Sequence, residues 1–328
     1  MLIRFGYCDD LSLAWEQLVS PVPVSAGATV ELTQSGLEFL AALFEKHDQD
    51  LDQALNSQEV ISLFSTCPTT PWAPEVYNQV PVTSKQWIGL QGYLAWWNMI
   101  SLLEPDKCCQ LLAHLGYDYF TPHLPHKQPP LMSTKEKKSD LAKRQTSKTT
   151  YSCLVVGPRD AGKTTFCQKF LGRSIEETAA MPGEERPKSL VNSVIVYGQQ
   201  KYLVMLDADV LTASDGLNST QTHCDVVCLV YDASNPRSFE YCARIYLVTS
   251  SILWTHVTML FQRYFSTTQV PVLVVANKSD KGVVRQDYIL QPEAFCAKHK
   301  LPPPQKASAR AGPSKDIFIK LATMAAFP

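Results

Sequence analysis

The alternation of apolar and polar positions changes character twice along the chain. In Gly36–His47 (GLEFLAALFEKH) apolar residues fall at Leu37, Leu40, Leu43 and Phe44, one face of an amphipathic helix, and Glu59–Phe64 begins a second helix. The aromatic segment Trp87–Met99 (WIGLQGYLAWWNM) predicts a further helix, with Trp96 and Trp97 as core residues. Between Thr121 and Thr150 large apolar residues thin out in favour of proline, lysine and hydroxyl residues, the composition of a linker. From Tyr151 onward, compact apolar runs predict strands at Tyr151–Val156, Leu190–Tyr197, Lys201–Leu206, Asp225–Tyr231 and Val270–Ala276. Helical patterns cover Lys163–Leu171, the stretch from Ser238, Pro292–Lys300 and Ser314–Ala326. Runs of Val, Leu and Ile bounded by turns imply strands covered on both faces, hence a mainly parallel sheet with its ligand at the strand ends. The predicted organisation is a helical module over residues 1–120, a Pro/Lys-rich linker over 121–150, and an α/β domain over 151–328.

The loop between the first two helices, Asp48–Glu59 (DQDLDQALNSQE), has the spacing of an EF-hand. Asp48, Asp50 and Asp52 stand at positions 1, 3 and 5, the Ala54 carbonyl at 7, Asn56 at 9 and Glu59 at 12, with Leu55 at the apolar position 8. Four carboxylates at these spacings make a hard oxygen cage suited to Ca²⁺. Position 6, usually glycine, is Gln53, which costs about 1 kcal/mol of strain in a left-handed turn. The competing reading is a solvated acidic turn that binds nothing. No second acidic loop is visible, and residues 87–99 are the candidate for a ligand-free partner helix. LIRFGY at Leu2–Tyr7 echoes LAHLGY at Leu112–Tyr117, as two copies of one module end would.

In the α/β part, Cys153–Phe166 (CLVVGPRDAGKTTF) fits the phosphate-loop pattern GxxxxGK followed by Ser or Thr, in a strand–loop–helix setting. Backbone amides of Arg159, Asp160, Ala161, Gly162, Lys163, Thr164 and Thr165 are candidates to surround phosphate oxygens; Lys163 reaches the terminal phosphates and the Thr164 hydroxyl holds Mg²⁺. Asn277, Lys278, Ser279 and Asp280 (NKSD) follow the last predicted strand. A carboxylate only accepts, so Asp280 pairs with both N1–H and the exocyclic amine of guanine, which adenine does not offer. Asn277 braces the loop, the Lys278 stem lies along the ring, and Ser308, Ala309 and Arg310 resemble the SAK element whose amide reads the guanine carbonyl.

Composition adds mostly exclusions. The 328 residues are enough for about two domains. Thirty basic against thirty-one acidic residues leave no global field for nucleic acid or an anionic membrane. Lys135, Lys137, Lys138, Lys143, Arg144 and Lys148 form a local basic cluster, read as a solvated linker, with His123 and His126 beside it making no metal site. The ten cysteines lack CxxC pairs and secreted-domain spacing, which points to a reducing compartment and to core thiols. No signal peptide is read at the start, and Ile245–Phe261, the most apolar long segment, falls short of the ~20 residues of a membrane span.

The phosphate loop, NKSD, Ser308–Ala309 and VYDASNPRSFEYC at Val230–Cys242 resemble the Ras-like small GTPases. With the EF-hand module, the FGY and LGY module ends, the basic linker, GQQKYLVML at Gly198–Leu206 and the closing PSKDIFIKLATMAAFP, the whole chain resembles the Miro family of mitochondrial Rho-type GTPases. The resemblance implies an EF-hand module followed by a Ras-like P-loop domain, an α + α/β class. It implies GTP/GDP, Mg²⁺ and Ca²⁺ as ligands, GTP hydrolysis, motor-adaptor proteins and the outer mitochondrial membrane as partners, and coupling of mitochondria to microtubule-based transport. Against the family, an N-terminal GTPase domain and a tail anchor are missing from this stretch, and Tyr246–Gln262 is extra. Lys163, Thr164 and Asp207 are the candidate catalytic residues. The usual DxxG is broken, because Ala208, Asp209 and Val210 follow Asp207, and no glutamine follows to orient water; hydrolysis is expected to be slow. Asp207 reads equally as a metal-shell residue or a plain strand-end carboxylate. Thr178 and Ser189 both remain open as the mobile hydroxyl of the Mg²⁺ shell. The alternatives to a Ca²⁺-responsive GTPase are a non-hydrolysing nucleotide-binding adaptor and, less favoured by NKSD, an ATP-using P-loop enzyme.

Overall fold

The computed structural model describes residues 28–117, 128–135, 144–183, 186–208, 224–247, 270–310 and 315–328. The Leu2–Tyr7 echo, His123, His126, Lys137, Lys138, Lys143 and most of Tyr246–Gln262 lie outside them. The chain divides into two compact units, Met1–Thr150 and Tyr151–Pro328.

In the first unit, β1 (Thr29–Leu32) leads into α1 (Gln34–His47), capped by the Thr33 side chain on the Gly36 amide. After the acidic loop come β2 (Ala54–Leu55) and α2 (Ser57–Leu63), the latter opened by a reciprocal capping box of Asn56 and Glu59. A 3₁₀ turn at Pro74–Asn78 precedes β3 (Ile88–Gly89), α3 (Leu90–Leu103) and α4 (Pro105–His114). The segment Trp87–Met99, expected to be wholly helical, thus begins with a strand residue pair: β3 pairs antiparallel with β2, Leu55 facing Ile88. This is the small ladder that joins two EF-hand loops. Counting from that pair, Pro81, Thr83, Lys85 and Gly92 occupy the places that Asp48, Asp50, Asp52 and Glu59 hold in the first loop. The second loop keeps the strand pair and one positive-φ position of the first, without its carboxylates. Gln53 and Gln86, its counterpart, both take positive φ, 65° and 62°, and a Cβ on Gly92 would lie 2.4 Å from the Pro81 carbonyl oxygen. The two ends of that loop pack directly on each other. Under both hands Phe44, Phe64, Trp72, Tyr93, Trp96 and Trp97 bury together, with Trp96 and Trp97 edge-on at 5.2 Å, which is the core role the sequence assigned to them.

The 121–150 stretch is more than a linker. Its residues Leu131–Thr134 form β4, paired antiparallel with β1 from Leu32↔Leu131 to Thr29↔Thr134. Fully buried Glu31 accepts from the amides of Thr149 and Thr150, both at 2.7 Å. Lys148, expected to be solvated, is buried.

The second unit is built on a six-stranded sheet in the order β10-β9-β8-β5-β7-β6: β5 (Thr150–Val156), β6 (Ser189–Val196), β7 (Gln199–Asp207), β8 (Val226–Asp232), β9 (Val272–Asn277) and β10 (Gln305–Lys306). β8 runs parallel to β5 and β9, and β10 to β9, while β6 and β7 form an antiparallel hairpin. Tyr197 and Gly198 turn that hairpin, both at positive φ as a two-residue turn of this twist demands. The helices are α5 (Lys163–Phe170), α6 (Ile175–Ala180), α7 (Ser238–Leu247), α8 (Pro292–Lys298) and α9 (Lys315–Ala326). Central strands β5, β8 and β9 are buried at every residue, as their unbroken apolar runs require. Phe166 and Phe170 of α5 meet Phe318 of α9, and Leu321, Ala322 and Ala325 join the same core. This is the α + α/β architecture read from the sequence: a Ras-like domain after an EF-hand region.

Candidate functional site

The second unit gathers its chemistry where β5, β7, β8 and β9 end. The β8–β9 register sets Asp232 opposite Asn277, and the chain leaving β5 turns at Gly157, where a Cβ would come 2.1 Å from the Val230 carbonyl oxygen. Only glycine lets the loop start so close to β8. The loop closes at Gly162, φ +83°, before α5 begins at Lys163. The amides of residues 159–165 therefore lie in the bend and first turn of a helix, a setting favourable to anions.

The side chains tie this loop to the guanine-type elements. Asn277, buried, donates its Nδ2 to Ala161 O at 2.8 Å and to Gly162 O at 3.3 Å. Lys278 Nζ donates to Asp160 O and to Asp232 Oδ2, the latter at 2.8 Å. Burial works to raise the Asp232 carboxyl, but hydrogen bonds from Lys278 and Ser234 outweigh it and leave the group below the ordinary carboxylate range. Asp280 Oδ1 accepts from the Ser308 hydroxyl at 2.6 Å, and Oδ2 lies 3.9 Å from Arg310 Nε. The Ser308 hydrogen bond is the main influence holding Asp280 below its usual range, a smaller desolvation effect opposing it. Ser279 N and its hydroxyl both donate to Ala307 O, which brings Ser308 and Ala309 beside NKSD. Lys169 of α5 adds a bond to Ser308 O.

At the phosphate end, Lys163 Nζ donates to Gly157 O at 3.0 Å and Pro158 O at 3.2 Å. The Thr164 hydroxyl donates to Asp207 Oδ2 at 2.7 Å. Hard oxygens of a threonine and a carboxylate side by side at a strand end fit Mg²⁺, and these two residues are the ones that would hold it. Of the two mobile-hydroxyl candidates, Thr178 lies in α6 with its hydroxyl donating to Ser174 O, and Ser189 starts β6 opposite Leu206. Asp209 and Val210, which with Ala208 break the DxxG pattern, lie outside the described residues.

In the first unit the acidic loop groups three of its carboxylates, Asp48 buried and Asp50 and Asp52 exposed. Ligand oxygens of Asp48, Asp50 and Asp52 lie within 4.8 Å of one another. Asp48 accepts from the Asp52 and Gln53 amides, Asp50 Oδ1 from Asp52 N, and Asp52 Oδ1 from Ala54 N. Glu59 accepts from Gln49 N at 2.8 Å and Asn56 N at 2.9 Å, while Asn56 Oδ1 caps Gln58 and Glu59. The loop brings Asp48, Asp50 and Asp52 together but not Glu59 or Asn56, whose side chains accept from backbone amides; the three aspartates are oxygen ligands of the kind that fits Ca²⁺, and the Ala54 carbonyl, Asn56 and Glu59 would complete the set with them.

The cysteines take no part. Among the described residues all are free thiols, and every one except half-buried Cys67 is buried. Burial pushes Cys109 and Cys296 up to about 11 and Cys242 to about 12, so they stay protonated and inert. Sequence reasoning missed Asp232, Lys169 and Lys85 as neighbours of the sites. For Asp232 its place at a strand end was the available signal; Lys169 and Lys85 carried none.

Fold and site together define a Ras-like P-loop domain, set after an EF-hand region. A family model described as EF hand associated matches residues 72–145. Along its whole length the chain is 35% identical to Mitochondrial Rho GTPase 1 of Caenorhabditis briggsae and 34% identical to Mitochondrial Rho GTPase 1 of Caenorhabditis elegans. These alignments of 333 positions cover all of this chain but only 50% and 51% of those relatives, so the chain spans about half their length. It is similar throughout to mitochondrial Rho GTPases, in keeping with the Miro resemblance read from its motifs.

Proposed function

We propose that the chain is a Ca²⁺-binding GTPase of the mitochondrial Rho type, which binds guanine nucleotide and hydrolyses GTP slowly to GDP and phosphate. The observation that carries this reading is the convergence, where β5, β7, β8 and β9 end, of Lys163, Thr164, Asp207, Asn277, Lys278, Asp280 and Ser308. Asp280 selects guanine by accepting from its N1–H and exocyclic amine. Loop amides and Lys163 take the phosphates, Lys163 leaving the Gly157 and Pro158 carbonyls to do so in part. Mg²⁺, which Thr164 and Asp207 would hold, would supply charge neutralisation to the phosphates. Water attacks the γ-phosphorus, the bond to the bridging oxygen breaks with its electron pair leaving on GDP, and a proton of the water passes to the released phosphate; Lys163 offsets the negative charge that develops on the leaving group. The broken DxxG, with no glutamine directly following Val210 in the sequence, is the ground on which a low rate is expected.

The test is identification of the nucleotide carried by purified protein, followed by a single-turnover GTP assay. Guanine nucleotide and hydrolysis above the protein-free rate, both lost in Lys163→Ala, are expected; absence of guanine-nucleotide binding in a fluorescent GDP titration overturns the reading. A second reading, a nucleotide-binding adaptor without hydrolysis, is favoured by the Ala208-Asp209-Val210 sequence after Asp207. GDP binding with hydrolysis at the protein-free rate selects it. That the relatives are mitochondrial Rho GTPases by name supports a mitochondrial setting. Motor-adaptor partners, the outer membrane and transport coupling rest on the family resemblance. Among the described residues no helix is long and apolar enough to cross a membrane.

A further inference from the structure

We infer that Lys85 sets the affinity of the Asp48–Glu59 loop for its divalent cation, as a tethered ammonium that occupies Asp52 until the ion displaces it. The inference rests on the reading of that loop as a Ca²⁺ site. Lys85 Nζ lies 3.5 Å from Asp52 Oδ2. The other oxygen, Oδ1, is taken by the Ala54 amide, so the oxygen held by Lys85 is the one not engaged within the loop's own turn. Among the described residues it is the cation paired with a carboxylate of this loop.

Its position follows from the fold. Asp52 stands three residues before Leu55 and Lys85 three before Ile88, and Leu55 pairs with Ile88 across β2 and β3. They are equivalent positions of the two paired loops, the first carrying a ligand and the second an ammonium. The ammonium is also placed over the Trp87 ring, 4.2 Å from its centroid, which limits its freedom and offsets the entropy cost of holding a long exposed side chain on one partner. A divalent ion must compete with Lys85 for Asp52 and is repelled by it; because Lys85 is 63% exposed, the effect is moderate and screened by salt.

Calorimetric Ca²⁺ titration of the full chain tests this, comparing wild type, Lys85→Met, Lys85→Arg and Lys107→Met. Lys107 is an exposed lysine of the same unit, paired with Glu104, and its loss changes net charge equally. At low salt Lys85→Met should bind Ca²⁺ about threefold to tenfold more tightly than wild type, with Lys85→Arg and Lys107→Met within about twofold of it. The gap should narrow as salt is raised. Clear binding with the same Kd in wild type and Lys85→Met overturns the role of Lys85 and leaves the Ca²⁺ site standing, as does equal tightening in Lys107→Met. Absence of binding in both wild type and Lys85→Met removes the site itself, and the role with it.

Discussion

In the proposed reading, Asp280 is a single side chain already set for recognition before a ligand arrives. It stands just past the end of β9 with one oxygen on the Ser308 hydroxyl and the other toward Arg310, so its carboxylate is ionised and oriented as an acceptor. Asp280→Asn is expected to weaken GTP by about tenfold to a hundredfold and to raise preference for xanthosine triphosphate, because an amide donor then faces the ring. Paired binding titrations check it, and unchanged affinities for both nucleotides would remove the role. Asp232 acts one step back, holding Lys278 against the phosphate loop. Its folded carboxyl titrates below the ordinary value. Its stabilising contribution is therefore complete above the unfolded pKa and is lost as pH falls through the lower, folded one. Acid unfolding of Asp232→Asn should show a shallower loss of stability over that acidic window than wild type. NKSD and the phosphate loop were legible because they are contiguous; Asp232 and Lys278 are 46 residues apart, and only the β8–β9 register made them neighbours.

At the scale of elements, the EF-hand pair separates what local chemistry writes from what packing adds. Helix α1, the acidic loop and α2 were readable from apolar spacing, carboxylates at alternate positions and the Asn56–Glu59 capping box. Glu59 both closes the loop and caps α2, taking the Gln49 and Asn56 amides. Glu59→Gln should weaken Ca²⁺ by about tenfold, since the charged bidentate group becomes a neutral amide; calorimetry giving equal affinity would favour a solvated acidic turn. The partner loop was not legible. Pro81, Thr83, Lys85 and Gly92 carry none of the expected carboxylates, and Ile88–Gly89 becomes a strand solely because β2 lies beside it. β4 is similar: four residues in a proline- and lysine-rich stretch, made a strand by β1 about a hundred residues earlier.

At the scale of the whole molecule, two compact units each carry one proposed ligand. Ligand binding to the folded state alone raises stability by mass action, about 2.7 kcal/mol at a hundredfold excess over Kd. GDP with Mg²⁺ should then move the melting of the unit holding the phosphate loop by about 5–10 °C, and Lys163→Ala should abolish the shift; differential scanning calorimetry reads both. The sequence by itself determined the α + α/β class, the strand–loop–helix around Lys163, the acidic loop and the guanine-type motifs, because each is set by neighbours within one turn, strand or loop. Tertiary structure alone decided the β1–β4 and β2–β3 pairs, the Asp232–Lys278 clamp, the Thr164–Asp207 contact and the place of Lys85 at Asp52. Those depend on register and close approach between segments distant in the chain, which local pattern does not encode.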